Sequence, residues 1–387
     1  MERTEWANAL RGIAATIVVV AHLGVLFWLD QGTAAQLARR APLWTGADGA
    51  PAIPRFLGVL PIDFGAFGVA LFFLLSGYVI AISMERYSRA GFLVGRLVRV
   101  LPTYAAGYLI TCTVVALVGD PAGELHPLNV LAGAVPGLPM ILNLTAPADG
   151  IVWTLMVELT FYFTCVVVFR ALSRRWGTIT LVAAFFAAVQ LVLSALTSYP
   201  AWMNGSIQVT VIVSPFIPLM LVGTVLSGLD RGSIARPMAV VLVPVLSLLV
   251  VVLLSISPIL HVGWRYRLSL VTATGLFVLV WRFGRAWKPS RVLDAAASIS
   301  FPLYVVHAVV GYALRARLLA HSVPAGLAFV LAVLAGATAA TVLHFAVEKP
   351  THRLGRRWAR RFGYATARVA EPASPAVEVG AGEPPAS

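Results

Sequence analysis

The chain has 387 residues, of which 59% are hydrophobic and only 12% are charged, and its mean hydropathy is +0.87. These values exclude an ordinary water-soluble domain and indicate a polytopic membrane protein that contacts the lipid bilayer. The net charge of +13 would also suit a nucleic-acid-binding protein. The arginines, however, lie in short segments between apolar runs and no base-stacking module is visible, so no nucleic-acid partner is expected.

Ten apolar runs are long enough to cross the hydrocarbon layer, which takes about 20 residues. We therefore predict an all-α fold of about ten transmembrane helices. An eleventh, weaker run at 129–146 is broken by Pro136, Gly137 and Pro139, which predicts a re-entrant or interfacial segment of an outer loop. The ten runs lie near residues 9–29, 65–84, 100–119, 151–171, 178–197, 207–227, 237–257, 265–283, 299–319 and 323–346.

The distribution of cations predicts the orientation. If the N-terminus is cytoplasmic, 22 of the 29 Lys and Arg residues fall in inner segments, and the outer loop at 120–150 carries none. The positive-inside rule therefore favours a multi-pass protein of the cell membrane with both termini in the cytoplasm. We expect a membrane domain over 1–355. Residues 356–387 are expected to form a cytoplasmic tail, first basic and then disordered, because Pro, Ala, Gly and Glu recur there without periodicity.

The first apolar run, "RGIAATIVVVAH" at 11–22, is bracketed by Arg11 and His22. Eleven residues make three helical turns plus ~20°, so both side chains project from one face, ~16 Å apart along the axis. An ionisable residue at this depth is a functional candidate, because its burial in lipid is costly. The alternative is a histidine bonded to a neighbouring helix and an arginine that reaches the headgroups.

Other polar residues recur inside apolar runs. Glu158 is expected at nearly the depth of His22, where its carboxylate would orient the imidazole as the third group of a catalytic arrangement does. His307 is expected between Arg11 and His22. His344 and Glu348, four residues apart before Pro350, predict a structural lock at a helix end. The two cysteines, Cys112 and Cys165, have neither disulfide nor metal-ligand spacing, and no metal is expected.

Six motifs follow one another along the chain: arginine, ten residues and histidine at 11–22, "GVALFFLLSGYVI" at 68–80, "RLVRVLP" at 96–102, "WTLMVELTFY" at 153–162, "SISFPLYVVH" at 298–307 and "EKP" at 348–350. In this order they resemble the motifs of the acyltransferase 3 family of integral-membrane O-acyltransferases. The resemblance extends through residues 1 to about 355 and implies an acyl-CoA donor. Many relatives carry an acidic residue where Ala70 stands, so its role is absent here or shifted, with Asp63 as the candidate.

The resemblance implies roles for these residues. His22 is the candidate general base, with Glu158 beside it, and Arg11 contacts either the donor or the oxyanion of its thioester. Direct transfer and an acyl-histidine intermediate both remain open. Arg96 and Arg99 share a helix face and are the candidates for the CoA phosphates, although simple positive-inside placement would also explain them. The candidate substrate-binding residues are Ser76, Trp153, Tyr162, Tyr304 and His307.

Two of these candidates have a structural alternative. Trp153 is also where an interfacial aromatic belt would fall. Ser76 and Gly77 are of the small kind that lets membrane helices pack closely.

In overall similarity the chain resembles the macrolide 3-O-acyltransferases of antibiotic producers, of the midecamycin type. This implies transfer of a short acyl group, from acetyl-CoA or propionyl-CoA, to a hydroxyl of a macrolide antibiotic. A cell-envelope sugar is the alternative acceptor. Intramembrane His, Arg and Glu would also suit a proton-coupled transporter, but inverted repeats are not visible.

Overall fold

The computed structural model describes residues 5–39, 42–44, 49–118, 126–144, 150–196, 200, 203–284 and 290–363, and no β-strand occurs in these ranges. They form sixteen helices, when short π and 3₁₀ segments are counted with the helix that they continue. The helices are α1 Glu5–Leu29, α2 Gln31–Leu37, α3 Ala52–Val59, α4 Phe64–Arg86, α5 Arg89–Val118, α6 Pro127–Gly133, α7 Leu138–Ile141, α8 Val152–Val168, α9 Arg170–Arg174, α10 Trp176–Ala195, α11 Asn204–Asp230, α12 Arg236–Ser255, α13 Trp264–Phe283, α14 Arg291–Ser298, α15 Ser300–Ala320 and α16 Ala325–Arg361.

Eight of the described helices are long and apolar enough to cross a membrane: α1, α4, α5, α10, α11, α12, α15 and α16. The other two predicted spans are also helical. Helix α8 is apolar but has only 17 residues, and α13 has 20 residues but carries Arg265, Arg267 and Arg282. The predicted all-α polytopic fold is confirmed, and every predicted run coincides with a helix.

The weak run at 129–146 is broken as its prolines predict. It forms the short helices α6 and α7, and between them Gly137 takes the left-handed conformation at φ 78°. A side chain at this φ would be strained, so glycine suits the break.

Helix α4 lies at the centre of the bundle and packs against α1, α11 and α13. It approaches α11 so closely that a Cβ at Gly77 would overlap the main chain of Met220, and one at Gly223 would overlap Leu74. The close packing predicted at Gly77 is therefore confirmed. Ser76, its neighbour, lines a cavity inside the bundle instead.

Polar contacts join several basic segments at one end of the bundle, here called the basic end. Arg174 pairs with Glu85 at 2.5 Å, and hydrogen bonding to this carboxylate raises the pKa of Arg174. Ser233 donates to Ser173 O at 2.8 Å, and Ser88 donates to Phe362 O at 2.7 Å. The ends of α4, α9, α11 and α16 therefore meet here. At the opposite end, Asp63 N donates to Ser269 Oγ at 2.7 Å.

Helix α16 runs for 37 residues and does not end at Pro350, contrary to prediction. A π-helical segment, His344–Glu348, precedes the proline, which then takes a first-turn position of Lys349–Arg361, where its missing N–H costs little. The predicted tail, residues 356–387, begins inside this helix. Residues 364–387 lie outside the described residues.

Candidate active site

A cavity of about 100 Å³ lies among α1, α4, α5, α8 and α15, towards the basic end. We call it the arginine cavity. It brings together seven of the ten predicted site residues, from five separate helices. They are Arg11, Ser76, Arg96, Arg99, Glu158, Tyr162 and Tyr304.

Cations outnumber anions in the arginine cavity. Arg96 donates to Ser83 Oγ at 3.0 Å and lies over the ring of Tyr162, while Tyr162 donates its hydroxyl proton to Glu158. Arg99 is 3.8 Å from Glu348. Arg11, among the described residues, has neither a hydrogen bond nor an ion pair. Three arginines thus face the two carboxylates of Glu158 and Glu348, and the excess of positive charge suits an anionic ligand.

His22 and His307 form a direct pair. His22 Nδ1 lies 2.7 Å from His307 Nε2, and the two rings are nearly parallel, at 13°. His307 is fully buried. Its Nδ1 lies 2.9 Å from Leu303 O and 3.0 Å from Tyr304 O.

These contacts determine the tautomers of the neutral pair. A carbonyl oxygen only accepts, so His307 Nδ1 carries the proton, and His307 Nε2 is left as an acceptor. His22 Nδ1 must then donate to it. The remaining nitrogen, His22 Nε2, holds an unshared electron pair, which is the requirement for a general base.

His22 Nε2 faces a second cavity, here called the histidine cavity, of about 400 Å³. A Cβ at Gly65 would lie 4.0 Å from this nitrogen. The cavity extends towards the opposite end of the bundle. Its polar and aromatic lining residues are His22, Asp30, Asp63, Phe64, Trp153, Arg265, Tyr266 and Tyr304.

Two residues, Val69 and Tyr304, line both cavities. The Tyr304 hydroxyl lies 2.9 Å from Thr154 Oγ1, which itself donates to Ile151 O at 2.8 Å. Because Thr154 has a single hydroxyl proton, Tyr304 is the donor in their bond. A proton donor therefore stands in the wall between the arginines and the base.

The family model for the acyltransferase domain matches residues 4–346, nearly the whole chain. The chain belongs to the acyltransferase 3 family. No curated protein and no solved structure matches the acyltransferase. Membership of this family makes it a membrane acyltransferase.

The expectation that Glu158 orients His22 is wrong. In the acyltransferase His307 is the partner of the imidazole, and Glu158 instead bonds to Tyr162 in the other cavity. Helices α1 and α8 carry His22 and Glu158 at similar predicted depths, but depth alone does not reveal which faces of two helices meet. His307, which was expected between Arg11 and His22, contacts His22 directly and lines neither cavity.

A π-helical segment, Val20–Leu26, carries His22 within α1. Such segments contain one surplus residue, leave main-chain groups without their usual partners and recur at functional sites. Arg315, which is 2% exposed, donates to Leu23 O beside His22 and lies over the rings of Phe27 and Trp28. Arg315 is one of the seven Lys and Arg residues that the predicted orientation places in outer segments, so sequence reasoning did not identify this contact.

One face of α15 holds the π-segment at three points. His307, Gly311 and Arg315 follow each other at intervals of four residues, which places them on one side of the helix. His307 bonds to His22, Arg315 bonds to Leu23 O, and a Cβ at Gly311 would overlap the Leu23 side chain. This spacing was the only signal in the sequence for the shared role.

Asp63 lines the histidine cavity of the acyltransferase, whereas Ala70 is fully buried and lines neither cavity. One oxygen of Asp63 accepts from Ala66 N at 2.9 Å and so caps α4. Trp153 packs against Phe216 at 5.0 Å between ring centroids and also lines the histidine cavity. In the described part of the chain no group of three His, Cys, Asp or Glu residues could hold a metal.

Proposed function

We propose that this acyltransferase moves an acetyl or propionyl group from acyl-CoA to a hydroxyl of a macrolide, with His22 as the general base. The observation that carries the proposal is the free electron pair of His22 Nε2, aimed into the histidine cavity by the bond to His307. The arginine cavity, one shared wall away, supplies cations for the CoA phosphates.

The chemistry assigned to His22 is a single proton transfer in each direction. As the acceptor O–H bond breaks, Nε2 takes the proton and the oxygen bonds to the thioester carbonyl carbon. When the C–S bond of the tetrahedral intermediate breaks, the imidazolium returns this proton to the departing thiolate. No covalent bond to the enzyme is required, so we favour direct transfer over an acyl-histidine.

Of the two roles open to Arg11, contact with the donor is favoured. Eleven residues of helix place it ~16 Å from His22 along α1, too far for the guanidinium to reach an oxyanion formed beside Nε2. Tyr304 is the better oxyanion donor, because its hydroxyl stands in the wall common to both cavities. Arg11, Arg96 and Arg99 are then left to bind the anionic donor.

The acceptor is assigned to the histidine cavity. Its lining combines polar groups with apolar side chains, among them Leu26, Leu29, Leu57 and Phe64. This combination suits a largely hydrophobic molecule that carries hydroxyl groups. The macrolide itself rests on the overall resemblance of the sequence to macrolide 3-O-acyltransferases.

The test is mass spectrometry of a macrolide lactone incubated with acetyl-CoA and the purified protein in detergent. Wild type should add one acetyl group. His22→Ala should lower the rate by about 10²–10⁴-fold, the usual contribution of a general base, and His321→Ala, an exposed histidine, should not change it. Full activity of His22→Ala would refute the base, and an unmodified macrolide would refute the acceptor.

A cell-envelope sugar is the second candidate acceptor. The observation in its favour is that the carboxylates of Asp30 and Asp63 share the histidine cavity with the rings of Trp153 and Tyr266. Carboxylates accept bonds from sugar hydroxyls, and aromatic faces pack on sugar rings. The same assay with a glycan acceptor decides between them. A proton-coupled transporter is disfavoured by the family, and movement of substrate into sealed vesicles without acylation would restore it.

A further inference from the structure

The last part of α16 extends beyond the length that a membrane needs. Twenty residues from Ala325 span the ~30 Å hydrocarbon layer, which brings the helix to the His344–Glu348 segment. The remaining residues, Lys349–Arg361, add ~20 Å. They contain six cations and no acidic residue: Lys349, Arg353, Arg356, Arg357, Arg360 and Arg361.

This segment is held firmly against the start of α5. A Cβ at Gly91 would come 2.6 Å from Ala359 O, and one at Gly95 would come 3.2 Å from Ala359 Cβ, so the two helices nearly touch. Ser88 Oγ adds its bond to Phe362 O. We call the pair formed by residues 89–99 and 349–361 the basic extension. Its second member belongs to the same continuous helix as a predicted span, so we infer that it projects away from the bilayer.

The basic extension begins at the rim of the arginine cavity. Glu348 is 3.8 Å from Arg99, a lining residue. His352, one turn further, is within electrostatic range of Arg11, Arg96, Arg99 and Arg356. Arg356 follows one turn later, ~12 Å beyond Glu348. Arginine side chains therefore continue from Arg99 in the cavity to Arg356 outside it.

The outer arginines of the basic extension are available to a ligand. Arg353, Arg356, Arg357, Arg360 and Arg361 are exposed, and none has a hydrogen bond or ion pair among the described residues. Such a cluster matches a ligand with several phosphates, because guanidinium groups bind phosphate oxygens in pairs.

We propose that the basic extension binds the nucleotide end of acyl-CoA, its adenosine 3′,5′-bisphosphate moiety, with Arg356 as the principal contact. This inference rests on the proposed acyl-CoA donor. The second phosphate of the 5′-diphosphate would then lie at Arg96 and Arg99, and the uncharged pantetheine arm would enter the arginine cavity towards Tyr304. Anionic lipid headgroups are the competing ligand for such arginines, but a helix that projects from the bilayer holds most of them away from the headgroups.

The test compares two donors, acetyl-CoA and acetyl-pantetheine, which lacks the nucleotide. Arg356→Gln should raise KM for acetyl-CoA by about tenfold, the effect of one charge-assisted hydrogen bond. It should leave kcat for acetyl-CoA, and KM for acetyl-pantetheine, unchanged. Arg356→Lys should recover part of the affinity. Arg236→Gln, an exposed arginine at the start of α12, is the control and should change nothing.

A binding measurement that needs no turnover accompanies the kinetics. Calorimetry with adenosine 3′,5′-bisphosphate and the detergent-solubilised protein should detect binding that Arg356→Gln weakens by the same factor. Unchanged binding and unchanged KM in this variant would overturn the inference and leave the acyltransferase function intact. A variant that lost affinity for anionic vesicles alone would also overturn it. Strong nucleotide binding without acyl transfer would instead contradict the proposed function.

Discussion

The proton on His307 Nδ1 is held by carbonyl oxygens of its own helix, and this decides which nitrogen of His22 is free. His307→Leu removes the acceptor for His22 Nδ1, so the imidazole loses its fixed tautomer and orientation. We expect kcat to fall by about 10²-fold or more, since general bases contribute 10²–10⁴. His307→Gln, whose amide oxygen can accept the same proton, should retain more activity than the leucine variant.

Separate values of kcat and KM distinguish the loss of this hydrogen bond from a general loss of folded protein. KM for acetyl-CoA should be unchanged in both variants, because the arginine cavity is untouched. Equal activity of His307→Gln and His307→Leu would contradict a hydrogen-bonding role.

Tyr304 carries the second expectation for a single residue. Tyr304→Phe keeps the ring and removes the only hydroxyl donor described in the wall between the two cavities. If this hydroxyl stabilises the oxyanion, kcat should fall by about 10²–10³-fold, the cost of one such donor. Thr154→Val, which removes the hydroxyl group that bonds to Tyr304 in the structure, should lower kcat much less. The comparison is made with saturating donor, and similar losses in both variants would exclude the role.

Sequence reasoning identified Arg11 and His22 from their rarity in apolar runs and from a helical spacing that needs no tertiary information. It did not identify the His22–His307 contact, because the two residues are 285 positions apart and belong to different helices. The rotation of each helix about its axis depends on packing with all its neighbours. For the same reason Glu158 was assigned to the wrong partner.

The π-segment of α1 illustrates how one helix depends on another. Arg315→Met should leave Leu23 O buried without its donor, at a cost of about 1–3 kcal/mol in the free energy of unfolding. Activity should fall too, because Leu23 adjoins His22, and Arg315→Lys should show smaller losses. Thermal unfolding in detergent is the measurement, with Arg317→Met as control: it is exposed and two residues away. Equal effects at both positions would contradict the assignment.

The contact of α4 with α11 gives a prediction about packing alone. Gly77→Ala places a Cβ against the Met220 main chain, which cannot move without separating the helices. Overpacking of this kind costs about 1–3 kcal/mol, so unfolding should begin at a lower temperature. Gly275→Ala, where a Cβ meets nothing within 4 Å, should be neutral or slightly stabilising. A harmless Gly77→Ala would show that the two helices are less closely packed.

The helices themselves were predictable because a long apolar run has few alternatives in lipid, where main-chain polar groups must be satisfied within the segment. The π-segments were not, since one surplus residue hardly alters a run that is apolar on every side. Pro350 shows the consequence: the proline predicts a helix end at this position, whereas the preceding π-segment accommodates it and the helix continues.

At the scale of the whole molecule, the meeting of the basic segments at one end makes the orientation testable. We expect the basic end to face the cytoplasm. In intact cells, Arg175→Cys should then remain unlabelled by a membrane-impermeant maleimide, and His261→Cys should be labelled. Background labelling should be low, because Cys112 and Cys165 are buried. The reverse pattern would invert the topology and remove access of cytoplasmic acyl-CoA to the arginines.

The two cavities extend towards opposite ends of the bundle, and only Val69 and Tyr304 line both. A cell membrane stores energy as a voltage and a proton gradient, and a water-filled passage through any of its proteins would discharge both. This acyltransferase must therefore insulate as well as catalyse. Because Val69 and Tyr304 stand between the two cavities, a smaller side chain at Val69 is expected to let protons leak across the membrane.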